Sequence, residues 1–146
     1  MNSAYYDTTY LLKLQIVENG TAEVRNHAST ICEIHTAQHG RAEFISAAFR
    51  KVKEGAATTA DLQHLIAQFH ADCDSGAIVF LPLSDAILDR VESVYASAPP
   101  TTYLRAADAI HLATAAQHGF TEIHSNDKHL LQSAHLFGLT PINLVP

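Results

Sequence analysis

The sequence predicts an α/β fold, a single domain with a mostly parallel central sheet and helices on both faces. Three observations predict it. Short apolar runs alternate with helical patterns along the chain, and strands separated by helices need right-handed crossovers between parallel neighbours. The 146 residues suit one domain and can bury a sizeable core without disulfides or a structural metal. No linker or internal repeat divides them. Pro99-Pro100 reads as a loop within the domain, since the apolar helices on either side need each other for a core.

The elements follow in order. Ala4–Tyr6 is a short strand, and a helix from Thr8 to Glu18 is expected to stop at Asn19-Gly20. A weaker helix covers Thr21–Ala28, and Thr30–Thr36, centred on Ile31-Cys32-Glu33-Ile34, reads as a strand. Arg41–Glu54 is amphipathic, with Phe44, Ile45, Ala48, Phe49 and Val52 as its stripe. Thr58 or Thr59 caps a helix carrying Leu62, Leu65, Ile66 and Phe69. Ala77–Leu81 is a compact apolar strand. Ser84 caps a helix with Ile87, Leu88, Val91, Val94 and Tyr95, which Pro99-Pro100 ends. Leu104–Ala116 is apolar on nearly every side, the mark of a buried helix. Glu122–Ser125 is a strand, Asp127–Phe137 a helix ending at Gly138, and Ile142–Val145 the last strand.

Composition excludes several classes. Cys32 and Cys73 are too few and too far apart for a disulfide framework or a thiolate zinc site, and they suit buried small hydrophobes in a reducing cytosol. No apolar run approaches the roughly 20 residues of a membrane span. Met1–Asp7 has no basic region followed by an apolar core, so no signal peptide is expected and a cytoplasmic location follows. A net charge of −6 argues against coating nucleic acid by bulk electrostatics. It leaves room for an enzyme that meets phosphate locally, because bound divalent cations reverse the sign of an acidic pocket.

Asp108 carries the first functional signal, because a carboxylate in a buried helix must be neutralised, hydrogen-bonded or bound to a cation. An anchor held by Arg105 or a backbone donor is the plain alternative. Asp7 directly follows the first strand and Asp127 the strand after Glu122, which puts both at the carboxyl ends of parallel strands, where open α/β sheets bind ligands. Each also suits a helix N-cap. Clustered oxygen ligands of this kind suit Mg²⁺ or Mn²⁺.

The segments Tyr6-Asp7-Thr8-Thr9-Tyr10-Leu11-Leu12-Lys13-Leu14, Leu104-Arg105-Ala106-Ala107-Asp108-Ala109-Ile110-His111-Leu112-Ala113-Thr114-Ala115 and Ser125-Asn126-Asp127-Lys128-His129-Leu130 resemble the motifs of the PIN-domain family. Order and spacing match nearly end to end, as one PIN-like domain over residues 1–146, and the resemblance is to its VapC-like ribonuclease toxins. It implies an endoribonuclease that uses Mg²⁺ or Mn²⁺ and leaves a 5′-phosphate and a 3′-hydroxyl on RNA. It implies homodimerisation, a toxin–antitoxin module and a cognate antitoxin protein. It also implies a fourth acid, Glu43, beside Asp7, Asp108 and Asp127. Periodicity disagrees, since Glu43 shares a face with Ser46, Ala47 and Arg50 and reads as solvated. Thr8 and Ser125 either orient a ligand of the site or cap helices. Arg105 and Lys128 flank the acids and could hold phosphate, although Lys128 also reads as a solvated surface residue.

The ten histidines do not build a zinc hydrolase. His35 and His39 are four apart, but no H-E-x-x-H occurs, and His111 reads as a satisfied core histidine. No P-loop, dinucleotide fingerprint or G-x-S-x-G appears. Two rivals remain: a non-catalytic PIN-like scaffold for RNA or protein, and a receiver-like phosphoacceptor. The second wants paired acids after the first strand, where Asp7 stands alone.

Overall fold

The computed structural model describes residues 2–146, so Met1 of the opening segment lies outside the described residues. β1 (Ser3–Tyr5), β2 (Glu33–Ala37) and β3 (Ile78–Leu81) form a parallel sheet in the order β1-β2-β3. β4 (Glu122–His124) and β5 (Thr140–Ile142) form a second parallel pair. A single parallel bridge, Tyr6 to His124, and the Asp7 N–H donating to the His124 carbonyl at 3.1 Å join the two. The strands therefore run β3-β2-β1-β4-β5, every pair parallel, as the alternating pattern predicts.

Alternate side chains of these strands feed two cores. Ala4, Tyr6, Ile34 and Ile78 face α1 (Thr8–Gln15), α2 (Thr21–Ala28), α3 (Gly40–Lys53) and α4 (Thr59–Asp74), where Tyr10, Leu11, Val24, Phe44 and Phe69 are buried. Tyr5, Ala37, Leu81 and Ile123 face the other way. There they meet α5 (Asp85–Ser97), α6 (Ala106–Gln117), α7 (Lys128–Ser133) and the 3₁₀ turn Ala134–Phe137. Period-two alternation with helices on both sides makes this one α/β fold. Thr58 caps α4 through a reciprocal capping box with Asp61, and Ser84 caps α5.

The structure departs from the sequence reading in several places. α1 ends at Gln15, short of Glu18, because the Thr21 hydroxyl takes the Ile16 carbonyl and receives the Glu18 N–H, holding that stretch as a loop. Gly20 then starts α2. Its φ of 89° and the Val145 methyls 2.6–2.7 Å from where a Cβ would stand leave room for glycine alone. The Thr30–Thr36 strand begins only at Glu33. The last strand is Thr140–Ile142, not Ile142–Val145, since an edge strand tolerates Pro141 and the Leu144 N–H is taken by the Tyr10 hydroxyl at 2.6 Å. Cys32 is exposed and Cys73 half-buried, so neither is a core residue. Among the described residues no helix is long and apolar enough to cross a membrane.

Candidate active site

Short hydrogen-bonded links connect the acids named above: Ser125 joins Asp7 to Asp127, Arg105 joins Asp127 to Asp108, and Glu43 bonds to Thr8 beside Asp7. The closest group of potential metal ligands among the described residues is His39, Glu43 and His111. Asp7 follows β1 and caps α1, so the N-cap reading holds, and it does so at the carboxyl end of the strand. Its Oδ1 accepts the Thr9 hydroxyl at 2.6 Å and the Tyr10 N–H at 3.3 Å, while Oδ2 accepts the Ser125 hydroxyl at 2.6 Å. Asp127 divides its work by atom. Oδ1 caps α7 through the His129 and Leu130 N–H groups, at 2.9 and 3.2 Å, and Oδ2 turns to Arg105. Ser125 ties the two together, because its oxygen also accepts the Asp127 N–H at 2.8 Å.

Asp108 sits in the first turn of α6, 7% exposed, with Oδ2 receiving the Arg105 Nε–H at 2.8 Å. The arginine anchor is therefore real. Glu43, in the first turn of α3, is half-buried and not on a solvated face. Its Oε1 accepts the Thr8 hydroxyl at 3.0 Å and lies 2.6 Å from His111 Nε2 and 3.5 Å from His39 Nε2. Periodicity misplaces Glu43 because the polar side of α3 begins against other protein and reaches water only further along.

His111 is buried and bonded at both nitrogens, as a core histidine should be, yet one of those bonds reaches the acids. Its Nδ1 lies 2.7 Å from the Tyr5 hydroxyl, which already accepts the Ala37 N–H at 2.9 Å. Glu43 Oε1 is a carboxylate oxygen and accepts, so Nε2 carries the proton of that contact. Sequence reasoning set His39 aside together with His35 and did not pair it with Glu43, although the four-residue spacing was the signal. It also missed Thr9, which bridges Asp7 and the Asn126 N–H (2.9 Å). Lys128 is exposed, in keeping with a solvated residue.

The acids differ in charge behaviour. Burial pushes the Asp7 carboxyl up to about 6, against the charged form of His111 and the bonds from Ser125, Thr9 and Tyr10. Burial also raises Asp108, with Asp127 adding to it and Arg105 opposing. For Glu43, burial acts upward but is outweighed by His111, His39 and Thr8, so its carboxyl lies below the ordinary range. His39 is held down by burial and by His111.

One arrangement tests whether a divalent cation fits. Nη2 of Arg105 lies 2.8 Å from Asp108 Oδ2 and 2.7 Å from Asp127 Oδ2. Two carboxylate oxygens from different helices already converge on one point of positive charge, and hard oxygens of this kind suit Mg²⁺ or Mn²⁺. Beside them, His39, Glu43 and His111 offer ligand atoms within 4.8 Å of one another, a mixed nitrogen and oxygen set that favours Mn²⁺ over Mg²⁺. The donors fit a divalent ion.

The family model described as PIN domain matches residues 4–136 of the chain. No curated protein matches it.

Proposed function

The chain belongs to the PIN-domain family, a family of nucleases that generally work with divalent metal ions, and from that premise we propose that it is an endoribonuclease. In this reading Asp7, Glu43, Asp108 and Asp127 hold Mg²⁺ or Mn²⁺ and the substrate is RNA. The biological role is the toxin half of a toxin–antitoxin module of the VapC-like kind, acting in the cytoplasm as a homodimer and silenced by a cognate antitoxin. The motifs around Asp7, Asp108 and Asp127 support that narrower assignment.

The observation that carries the chemistry is the convergence of Asp108 and Asp127 on a single cationic nitrogen, beside two further carboxylates. A divalent cation there supplies charge to hold a phosphodiester oxygen and lowers the pKa of an attacking water. The protein's own groups do the rest. Ser125 and Thr9 fix the Asp7 carboxylate from both oxygens. Thr8 and His111 fix Glu43 through Oε1, leaving Oε2 without a hydrogen bond among the described residues. Arg105 is half exposed and its Nη1 makes no hydrogen bond among the described residues, so it can meet a phosphate oxygen.

Purified protein should cleave single-stranded RNA with Mn²⁺ or Mg²⁺, leave 5′-phosphate ends and stop in EDTA. Binding of the ion to the folded state alone should raise stability by about 2.7 kcal/mol at a hundredfold excess over Kd, and Asp7→Asn/Asp108→Asn should remove the gain. An equal gain in the double variant would place the ion elsewhere. Metal-saturated protein that binds RNA without cutting it would favour the scaffold. Glu43→Gln should lower cleavage at least about tenfold, near 1.4 kcal/mol, and recover in part at high Mn²⁺. Unchanged rates at limiting metal would leave a three-acid site.

A further inference from the structure

Beside Arg105 the surface carries an aromatic pair that neither core uses. The Tyr103 ring is 55% exposed and its hydroxyl makes no hydrogen bond among the described residues. The His129 ring lies 4.2 Å away, tilted by 40°, and the Arg105 guanidinium carbon is 6.0 Å from the Tyr103 ring centre. The segment beneath is not loose. The Ser133 hydroxyl donates to the Tyr103 carbonyl at 3.2 Å, and the Tyr95 hydroxyl to the Leu104 carbonyl at 2.6 Å. An exposed tyrosine on a pinned segment is a large apolar face held ready for contact, with little freedom left to lose on binding.

The pair is tied to the acids on both sides. His129 follows Asp127 by two residues and gives its backbone N–H to that carboxylate. Arg105 reaches from beside the Tyr103 ring to Asp108 and Asp127 together. A hollow of about 250 Å³, lined in part by Tyr103, Gln132 and Ser133, adjoins the ring and offers polar groups to the edge of a base. The aromatic pair and the arginine therefore adjoin, with the guanidinium carbon 6.0 Å from the Tyr103 ring centre. Bases stack on tyrosine and histidine, and a guanidinium takes the phosphate.

We propose that Tyr103 and His129 form a subsite for an unpaired nucleobase next to the scissile phosphate, so that this chain takes RNA whose bases are splayed out. The subsite rests on the reading of the chain as a ribonuclease. It makes Tyr103 a specificity residue that touches substrate outside the metal-holding acids. A base inside a duplex cannot reach it, because both of its faces are already stacked.

The test uses one single-stranded oligoribonucleotide and the same strand with an abasic ribose beside the cleavage site. Tyr103→Leu keeps apolar bulk and removes the stacking face, and an exposed side chain with intact backbone bonds should be replaceable without unfolding. Tyr103→Leu should lower kcat/KM on intact RNA about tenfold, within the range of stacking one base on an aromatic side chain, whereas Tyr103→Phe should keep it. Wild type should fall by a similar factor on the abasic strand, and Tyr103→Leu should lose nothing more there. Wild-type kcat/KM for Tyr103→Leu, or an equal loss on both strands, overturns the subsite. Wild-type protein that cuts no RNA overturns the nuclease reading instead. In that case anisotropy of the labelled strands in EDTA decides the subsite. Base-dependent binding lost in Tyr103→Leu supports it, and binding indifferent to base or variant sinks it.

Discussion

Asp108→Asn is expected to abolish RNA cleavage, by at least about a thousandfold or near 4 kcal/mol in the barrier, while the protein stays folded. The substitution keeps the shape of the side chain and removes the anion. Asp108 contributes one of two oxygens that meet at Arg105 Nη2, so its loss halves that convergence and leaves Asp127 alone with the arginine. The fold should tolerate this. Burial already raises the Asp108 carboxyl, and its partner Arg105 is half exposed and keeps Asp127, so losing the anion strands no buried charge. Circular dichroism and melting without metal should therefore match wild type closely. Wild-type turnover by Asp108→Asn at matched Mn²⁺ would remove Asp108 from the chemistry and leave it as an anchor for Arg105.

Asp7→Asn is expected to stabilise the metal-free protein at pH 8 and to do almost nothing well below the ordinary carboxyl value of 3.8. A carboxyl held at about 6 instead of its ordinary 3.8 is protonated more readily in the folded chain than in the unfolded one. Below the unfolded value both states carry the proton and burial costs nothing extra. Stability is lost as pH climbs from there through 6, and above it the ionised, buried carboxylate costs on the order of 3 kcal/mol. Asparagine escapes that cost and still caps α1. Melts in EDTA across this window should show the two proteins coinciding in acid and separating in base. A constant difference at every pH would mean that the substitution acts through the Ser125 and Thr9 bonds and not through charge.

Much of this was legible in the residues. Asp7 and Asp127 betray their place by standing directly after short apolar runs, since in a parallel sheet such positions fall on one edge whatever the details of the crossovers. Asp108 is legible because it is the one acid in α6, a helix otherwise made mostly of alanine, leucine and isoleucine. Glu43 is not, because helical periodicity records which residues are apolar and cannot tell water from a polar site. His39 fails to register for the same reason. β5 was misplaced because propensity disfavours Pro141, whereas the edge of a sheet leaves its missing N–H without consequence. Tyr103 gives no sign in sequence, since its exposure follows from how α6 and α7 happen to meet.

Arg105 gives Asp108 and Asp127 an internal counter-ion, and if these carboxylates hold the metal proposed above, loading would be an exchange. Filling the site means evicting a guanidinium that already sits on Asp108 and Asp127, so the apparent affinity is the intrinsic one reduced by the work of that eviction. On that proposal the carboxylates would stay paired with Arg105 in metal-poor surroundings, and the ion would bind only above a higher threshold concentration. An arginine freed from the two carboxylates would have its whole guanidinium available to a phosphate. Arg105→Gln should lower the threshold in a Mn²⁺ titration of thermal stability while weakening RNA binding. A titration that superimposes on wild type would mean that the ion and the arginine never compete.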